Sequence, residues 1–323
     1  MKYIYKFSFS NTFIKFIYML IKIFSNFCNS NECKITYERL CEVHNMKNYG
    51  LGKEIYITTG EDYTHAIILN TAMPLLKIPK ENVIGLAFEP PAFLGLTNVF
   101  INYAIKHIGK YFIGDRTFWL DKKKILPDLF KEQFAYTWRS APLKYIPVKN
   151  KLMSIMVSIR NFAPGHKYRH TLVEHILNAG YPIDIYGNGT NIYGSGSNIS
   201  GNIYNKRVDA RIKGKFKELE PYENYQFHIC IENFKTNAYF SEKISNALLC
   251  GTTPIYWGCK NILDMFPRNV IILSGNITND MTLLRDIILN PRKYMGNINV
   301  EDVKDKLNLL KNLDKCFFGP TFS

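Results

Sequence analysis

The stretch NAYFSEKISNALLCGTTPIYWG, residues 237–258, decides the fold. A polar loop runs to Ser241, a residue type that caps helices. Glu242 and Lys243 stand in the first helical turn. The helix continues to about Cys250, Gly251 supplies the stop, and TTPIYWG follows as an apolar, β-branched strand. Upstream, YENYQFHICIE (222–232) reads as another strand, ending at Glu232–Asn233. Strand, loop, helix, strand is the rhythm of a parallel α/β layer, in which ligands collect at the carboxyl ends of the strands. A helix N-terminus there attracts phosphate through its unpaired N–H groups. Lys243 adds a full positive charge, against the usual preference for acids in a first turn. Glu242 beside it can accept hydrogen bonds from sugar hydroxyls. Together they suit a nucleotide clamp. From local physics alone a second reading stands beside it, in which Ser241 caps the helix and Glu242–Lys243 is a solvated pair.

The same rhythm recurs on both sides. EIYITTG, HAIILN and NVIGLAF read as short strands, LTNVFINYAIKHIG as a helix with Leu96, Val99, Phe100, Tyr103 and Ala104 at helical spacing, and KYFIGD as a strand. FEPPAFLGL carries two prolines, which predict an extended turn rather than a helix. The Pro-punctuated SAPLKYIPVKNK (140–151) is the best linker. Beyond it LMSIMVSI (152–159) suits a buried parallel strand, KYRHTLVEHILNAG a helix stopped by Gly180, and YPIDIYG a strand. GNGTNIYGSGSNISGN is a long loop, not a dinucleotide fingerprint, because no helix opens after its glycines. DVKDKLNLLKNL (302–313) reads as an amphipathic helix. Two α/β layers joined by a linker predict a two-lobed enzyme with a cleft.

Lys and Arg number 41 against 27 acids, a balance that favours phosphate-bearing ligands, nucleic acid or acidic membranes without choosing among them. The cations are dispersed rather than striped with aromatics, which argues against nucleic acid. Seven cysteines without a C-x-x-C pair suggest reduced structural thiols, not a zinc ribbon. His166, His170 and His175 do not share one helical face, so a zinc site is not expected there. KFSFSNTFIKFIYMLIKIFSNF (6–27) is apolar, but Lys15 and Lys22 interrupt it, and no run reaches the ~20 residues of a spanning helix. The arm could lie on a membrane surface, act as a degenerate signal-anchor, or pack on the protein body. With no clear anchor, the expected location is cytoplasmic or membrane-associated.

The spacing E-N-x5-Y-x2-E-K, met by Glu232, Asn233, Tyr239, Glu242 and Lys243 and followed by a helix and PIYWG, closely resembles the signature of the α-1,3/4-fucosyltransferase family. Ser241 stands where most members have Thr. The resemblance extends more weakly over most of the chain after about residue 60. It implies a GT-B-like fold of two Rossmann-like lobes with a cleft between them: a basic apolar arm (1–30), an N-terminal acceptor-binding lobe (31–145) and a C-terminal nucleotide-sugar donor-binding lobe (146–323). Arg169, in the strand–loop–helix SIRNFAPGHKYRHTLVEHI, resembles the family's phosphate-binding arginine, with Lys167 as a competing alignment and a solvent-facing arginine as the bland one. GLAFEPPAF resembles the family's F-E-S-P region with Pro90 in place of Ser, which makes Glu89 the implied general base, unless it merely caps a turn.

The implied reaction is inverting transfer of fucose from GDP-fucose to a hydroxyl of a glycan acceptor, of GlcNAc or Glc type in α-1,3 linkage. Arg169, Asn233, Tyr239, Glu242 and Lys243 would bind the donor. No D-x-D occurs, so no metal or other cofactor is required by the sequence, although Mn²⁺ activates several family members. The expected partners are GDP-fucose and a glycan, with possible membrane-surface contact through residues 1–27 and no nucleic acid. Use of another GDP-hexose, or a non-catalytic glycan-binding relic, are the competing readings. The cysteine-paired C-terminus and signal-anchor of animal members are not present, so their lumenal setting is not carried over.

Overall fold

The computed structural model describes residues 18–122, 125–133, 145–195 and 207–319. Its N-terminal lobe is a six-stranded, all-parallel sheet in the order β2-β1-β3-β4-β5-β6. The strands are β1 (Met19–Ser25), β2 (Ile55–Ile57), β3 (His65–Leu69), β4 (Val83–Leu86), β5 (Lys110–Ile113) and β6 (Phe130–Glu132). Helices α1 (Ser30–Val43), α2 (Pro91–Leu94), α3 (Asn98–His107) and α4 (Thr117–Asp121) connect them. The second lobe repeats the plan in the order β11-β8-β7-β12-β13-β14. Its strands are β7 (Lys151–Met156), β8 (Ile183–Tyr186), β11 (Ile212–Gly214), β12 (Tyr225–Ile231), β13 (Thr253–Trp257) and β14 (Ile271–Ile272). A minor parallel pair, β9 (Gly194–Ser195) with β10 (Arg207–Val208), stands apart. Helices α5 (Pro164–Asn178), α6 (Glu220–Glu223), α7 (Glu242–Leu249), α8 (Ile262–Met265), α9 (Ile277–Leu289), α10 (Pro291–Tyr294), α11 (Val300–Leu307) and α12 (Leu313–Phe318) complete the chain. Two doubly wound parallel sheets are the architecture expected from the sequence.

Parallel strands are covered on both faces and therefore read as continuous apolar runs. Met19–Ser25 obeys that rule, and here the structure corrects the arm. Residues Met19–Ser25 of the arm are no appendage but a strand paired with both β2 and β3, with Met19, Ile21 and Ile23 buried in the core. Lys22, which looked like an interruption, is 7% exposed and reaches out to Glu61 at 2.6 Å, its ammonium group lying over the Phe24 and Tyr63 rings. The first seventeen residues of the arm, and residues 140–144 of the linker, lie outside the described residues.

Three further readings change. Pro91 does not exclude a helix: it stands at the first position of α2, where its missing N–H and fixed φ do no harm. The loop RNFAPGH is shorter than it looked, since α5 begins at Pro164, which places Arg169 in the second helical turn. The 302–313 segment breaks after Leu307, and Leu309, Leu310, Leu313, Cys316 and Phe317 pack against the core of the N-terminal lobe beside Ile21 and Ile23. Lys110 of β5 seals that contact by donating to the carbonyl of Gly319 at 2.8 Å. The C-terminus thus crosses back to the first lobe. All seven cysteines are free thiols.

Candidate active site

The loop from β12 to α7 is built around one buried carboxylate. Glu232 has no exposed surface and accepts hydrogen bonds from the Ser241 N–H and hydroxyl, both at 2.8 Å. Ser241 also caps α7. Lys243 completes the cluster: its Nζ lies 3.0 Å from Ser241 Oγ, 3.2 Å from Glu242 Oε1 and 3.4 Å from Glu232 Oε2. Burial works against the ammonium, but the Glu242 and Glu232 carboxylates outweigh it and hold its pKa above the ordinary value. Burial likewise works against ionised Glu242. Lys243 and the donors at the helix start prevail, so its carboxyl is held below the usual range. Glu232 therefore anchors the loop, while Glu242, on the exposed side, and Lys243 face the cavities.

Glycine makes the close approaches possible. A Cβ on Gly165 would stand 1.8 Å from the Glu232 carbonyl oxygen, and its N–H donates to the Asn233 carbonyl at 3.0 Å. The N-terminus of α5 is thereby pressed onto the Glu232–Asn233 loop. Gly187, with φ +106°, and Gly189 bring the chain after β8 against the carbonyls of Val157 and Ser158.

A cavity of about 470 Å³ opens at the carboxyl ends of β7 and β12, where the strand order reverses. Arg169, Glu242 and Lys243 line one end, and Gly187, Asn188, Lys215 and Phe216 the other. Arg169 is 6% exposed and one guanidinium nitrogen donates to the Ile231 carbonyl, so it is a buried, oriented cation and not a solvent-facing one. Lys167, the competing alignment, is not among the residues that line this cavity. His228 lies in the cavity wall, where burial pulls its pKa down to about 3 and keeps it neutral.

The second space, of about 820 Å³, lies between the lobes. Glu89 enters it from the N-terminal lobe, just past β4. Asn233, Tyr239, Glu242 and Lys243 enter it from the C-terminal lobe. All six residues singled out in the sequence thus line one of two cavities that share Glu242 and Lys243. Burial within the cleft lifts the Glu89 pKa above the usual carboxylate value. Glu242 and Glu232 add to that lift, and Lys243 and Arg160 oppose it. Tyr239 is buried with its hydroxyl 3.5 Å from the Phe88 carbonyl, and Asn237 N–H donates to Asp115 Oδ2 at 3.1 Å, so the loop touches the opposite lobe at two points.

The cleft also holds residues the sequence did not reveal. Arg160 lines it, its own carbonyl held at 3.1 Å by His170 Nε2. Behind the cleft-lining Phe162, His166 is buried edge-on against its ring, and burial with neighbouring arginines pulls its pKa down to about 4. Asn26 and Asn70 line the N-terminal wall. Arg160 directly follows the apolar run 152–159, the one signal that would have found it. Among the described residues no group of three or more His, Cys, Asp or Glu is placed to hold a metal ion.

Two parallel α/β lobes, a buried cation at the reversal point of one sheet and a carboxylate facing it from the other make up a two-lobed, GT-B-like architecture with its site in the cleft. Residues 146–289, a little under half of the chain, match the family described as glycosyltransferase family 10 (fucosyltransferase) C-term. A mimivirus protein named as a fucosyltransferase (R654, Acanthamoeba polyphaga mimivirus) is 30% identical over 110 residues, covering 31% of this chain. The match spans 18% of that relative's length. Among solved structures, an α1,3-fucosyltransferase with GDP superposes with a TM-score of 0.45 at 14% identity, covering 97% of this chain and 96% of the other. An α1,3-fucosyltransferase with GDP-fucose gives 0.47 at 14% identity, covering 89% and 83%. A DNA-modifying β-glucosyltransferase gives 0.48 at 11%, covering 93% and 99%.

Proposed function

We propose that this chain transfers fucose from GDP-fucose, with inversion, to a hydroxyl of a GlcNAc- or Glc-type glycan in α-1,3 linkage. The observation that carries this reading is the meeting of Glu89 from one lobe with Lys243, Asn233 and Tyr239 from the other across a single cleft. The nucleotide occupies the 470 Å³ cavity, and its diphosphate lies against Arg169, Lys243 and the N-terminus of α7. Glu242 accepts from the ribose, and Asn233 and Tyr239 border the hexose. The acceptor oxygen attacks the anomeric carbon as its proton passes to Glu89. The bond to the β-phosphate oxygen breaks on the opposite face, through an oxocarbenium-like state comparable to that of glycoside hydrolysis. Arg169 and Lys243 meet the charge that grows on departing GDP, and cations fixed in place before reaction are the efficient way to do so. In this reading Mn²⁺ is an activator and not a resident cofactor.

The deciding experiment is thermal unfolding of the full chain with GDP, UDP, GDP-fucose and GDP-mannose. A ligand at ~100 times its dissociation constant adds about 2.7 kcal/mol. Stabilisation by GDP and GDP-fucose that Lys243→Ala abolishes is the expected result. Indifference to every guanine nucleotide would overturn the assignment. A larger response to GDP-mannose than to GDP-fucose would move it to another GDP-hexose.

A further inference from the structure

Asn70 is an unusual residue that the proposed reaction has not yet used. It follows β3, it is 7% exposed, and its backbone is left-handed with φ +52°. Asparagine tolerates that conformation better than most residues, but a buried one there is held by its surroundings. Here every other polar group is occupied. The N–H donates to the Leu86 carbonyl at 2.9 Å, and the carbonyl accepts from the Tyr111 hydroxyl at 2.7 Å. Side-chain Oδ1 accepts from the Phe88 N–H at 2.8 Å. That last bond fixes the amide orientation, because a backbone N–H needs the oxygen. Tyr111 reaches Asn70 across Gly85, where a Cβ would stand 2.0 Å from its ring.

What is left is the Nδ2 group, two donors with no hydrogen-bond acceptor among the described residues. The side chain lines the interlobe cleft and also a neighbouring space of about 780 Å³, and Glu89 lines both. The position has a topological meaning as well. In the order β2-β1-β3-β4-β5-β6 the direction of winding reverses between β1 and β3, and a doubly wound sheet binds its ligand in the crevice outside that point. Asn26 and Phe27 follow β1 there, and Asn70 follows β3. Asn26 is exposed and gives one amide N–H to Thr71 at 3.1 Å, so the buried amide donor at this crevice is Asn70. The surrounding wall is aromatic, with Phe27, Phe88 and Phe93. A few fixed polar groups among aromatic side chains are the composition of a site for a small neutral ligand.

We infer that Asn70 is the acceptor-positioning residue: its Nδ2–H donates to an oxygen of a neutral saccharide seated at the β1–β3 crevice, next to the hydroxyl whose proton Glu89 takes. This rests on the transfer reaction proposed above. The test compares the wild-type full chain with Asn70→Asp, which keeps the oxygen that holds Phe88 but loses the donor. Asn70→Gly, which keeps the left-handed backbone, is the second variant. Transfer to N-acetyllactosamine and to lactose is measured on the alkaline plateau of the pH profile, with GDP affinity measured separately.

The expected result is a loss of about tenfold or more in acceptor kcat/KM in both variants, as for a hydrogen-bond donor removed from a buried contact, with GDP affinity within twofold of wild type. Acceptor kcat/KM within twofold of wild type would overturn the inference. So would a parallel fall in GDP affinity, which marks a prop of the fold. A wild-type protein that binds GDP yet turns over neither sugar overturns the neutral-saccharide assignment. A wild-type protein that binds no guanine nucleotide instead refutes the transfer reaction itself.

Discussion

Lys243 has two jobs that one substitution cannot separate, and Glu232 provides the means. Lys243→Met keeps the apolar stem and removes the charge. Glu232 then stays fully buried, with only the Ser241 N–H and hydroxyl as donors. Breaking a fully buried ion pair costs roughly 3–5 kcal/mol. The Lys243 side chain is 19% exposed, its contact to Glu232 is 3.4 Å, and two hydrogen bonds remain, so the expected loss is smaller. We place it at about 2–3 kcal/mol, just below that range. For lobes of this size that lowers the melting temperature by roughly 4–12 °C. Adding Glu232→Gln removes the stranded charge while an amide oxygen still accepts from Ser241. The double variant should return to within about 1 kcal/mol of wild type, as expected when both members of a buried pair are replaced. GDP binding should not return, because the ammonium is still missing. Urea unfolding followed by GDP titration reads both quantities. The reasoning is refuted if Lys243→Met unfolds at the wild-type midpoint, or if the double variant recovers nucleotide affinity together with stability.

Four other outcomes follow from the geometry. Glu89→Gln should lower transfer by roughly 10²–10⁴-fold while leaving GDP affinity intact, since a positioned base acts only in the transition state; equal loss of GDP binding would contradict its role. Because Glu89 acts ionised and burial holds its pKa above the usual carboxylate value, activity should rise with pH through an acid limb displaced upward from the usual carboxylate range, and Glu89→Asp should shift that limb. Deleting residues 1–30 should prevent the N-terminal lobe from folding. Met19, Leu20, Ile21 and Ile23 are all buried, and at about 1.5–3 kcal/mol each they supply roughly 6–12 kcal/mol. That is comparable to the whole stability of a domain. A soluble, cooperatively melting truncation would show the strand to be dispensable. Gly165→Ala should shift α5 off the Glu232 carbonyl and weaken GDP binding through Arg169, with a stability loss of about 1–3 kcal/mol or more; a variant with unchanged affinity would uncouple the helix from the site.

The sequence by itself determined the parts of this protein that are local. Glu232 to Lys243 spans twelve residues, so a strand end, a loop and a helix start had to bring those side chains together whatever the rest of the chain did. The alternation of apolar runs and amphipathic helices likewise specified two parallel α/β layers, because each element buries only the face its period presents. Where the local signal was ambiguous, the sequence failed. MLIKIFS carries the same apolar density in a membrane-surface helix and in a strand covered on both faces, and only pairing with β2 and β3 separates the two. Lys22 looked like an interruption because its partner, Glu61, is thirty-nine positions away. FEPPAF looked extended because proline's tolerance at a first helical position depends on where the helix begins.

The tertiary structure alone decided which of the many polar residues face the cleft. Arg160 and Asn70 carry no motif. Their significance comes from sheet topology, which sets the reversal points of both lobes opposite each other. It also comes from hydrogen-bond accounting, which among the described residues leaves Asn70 its Nδ2 group after the other polar atoms have been taken. Period and spacing act over a turn or a strand, whereas a site between two lobes is made by contacts between residues 150 or more positions apart, such as Phe88 and Tyr239.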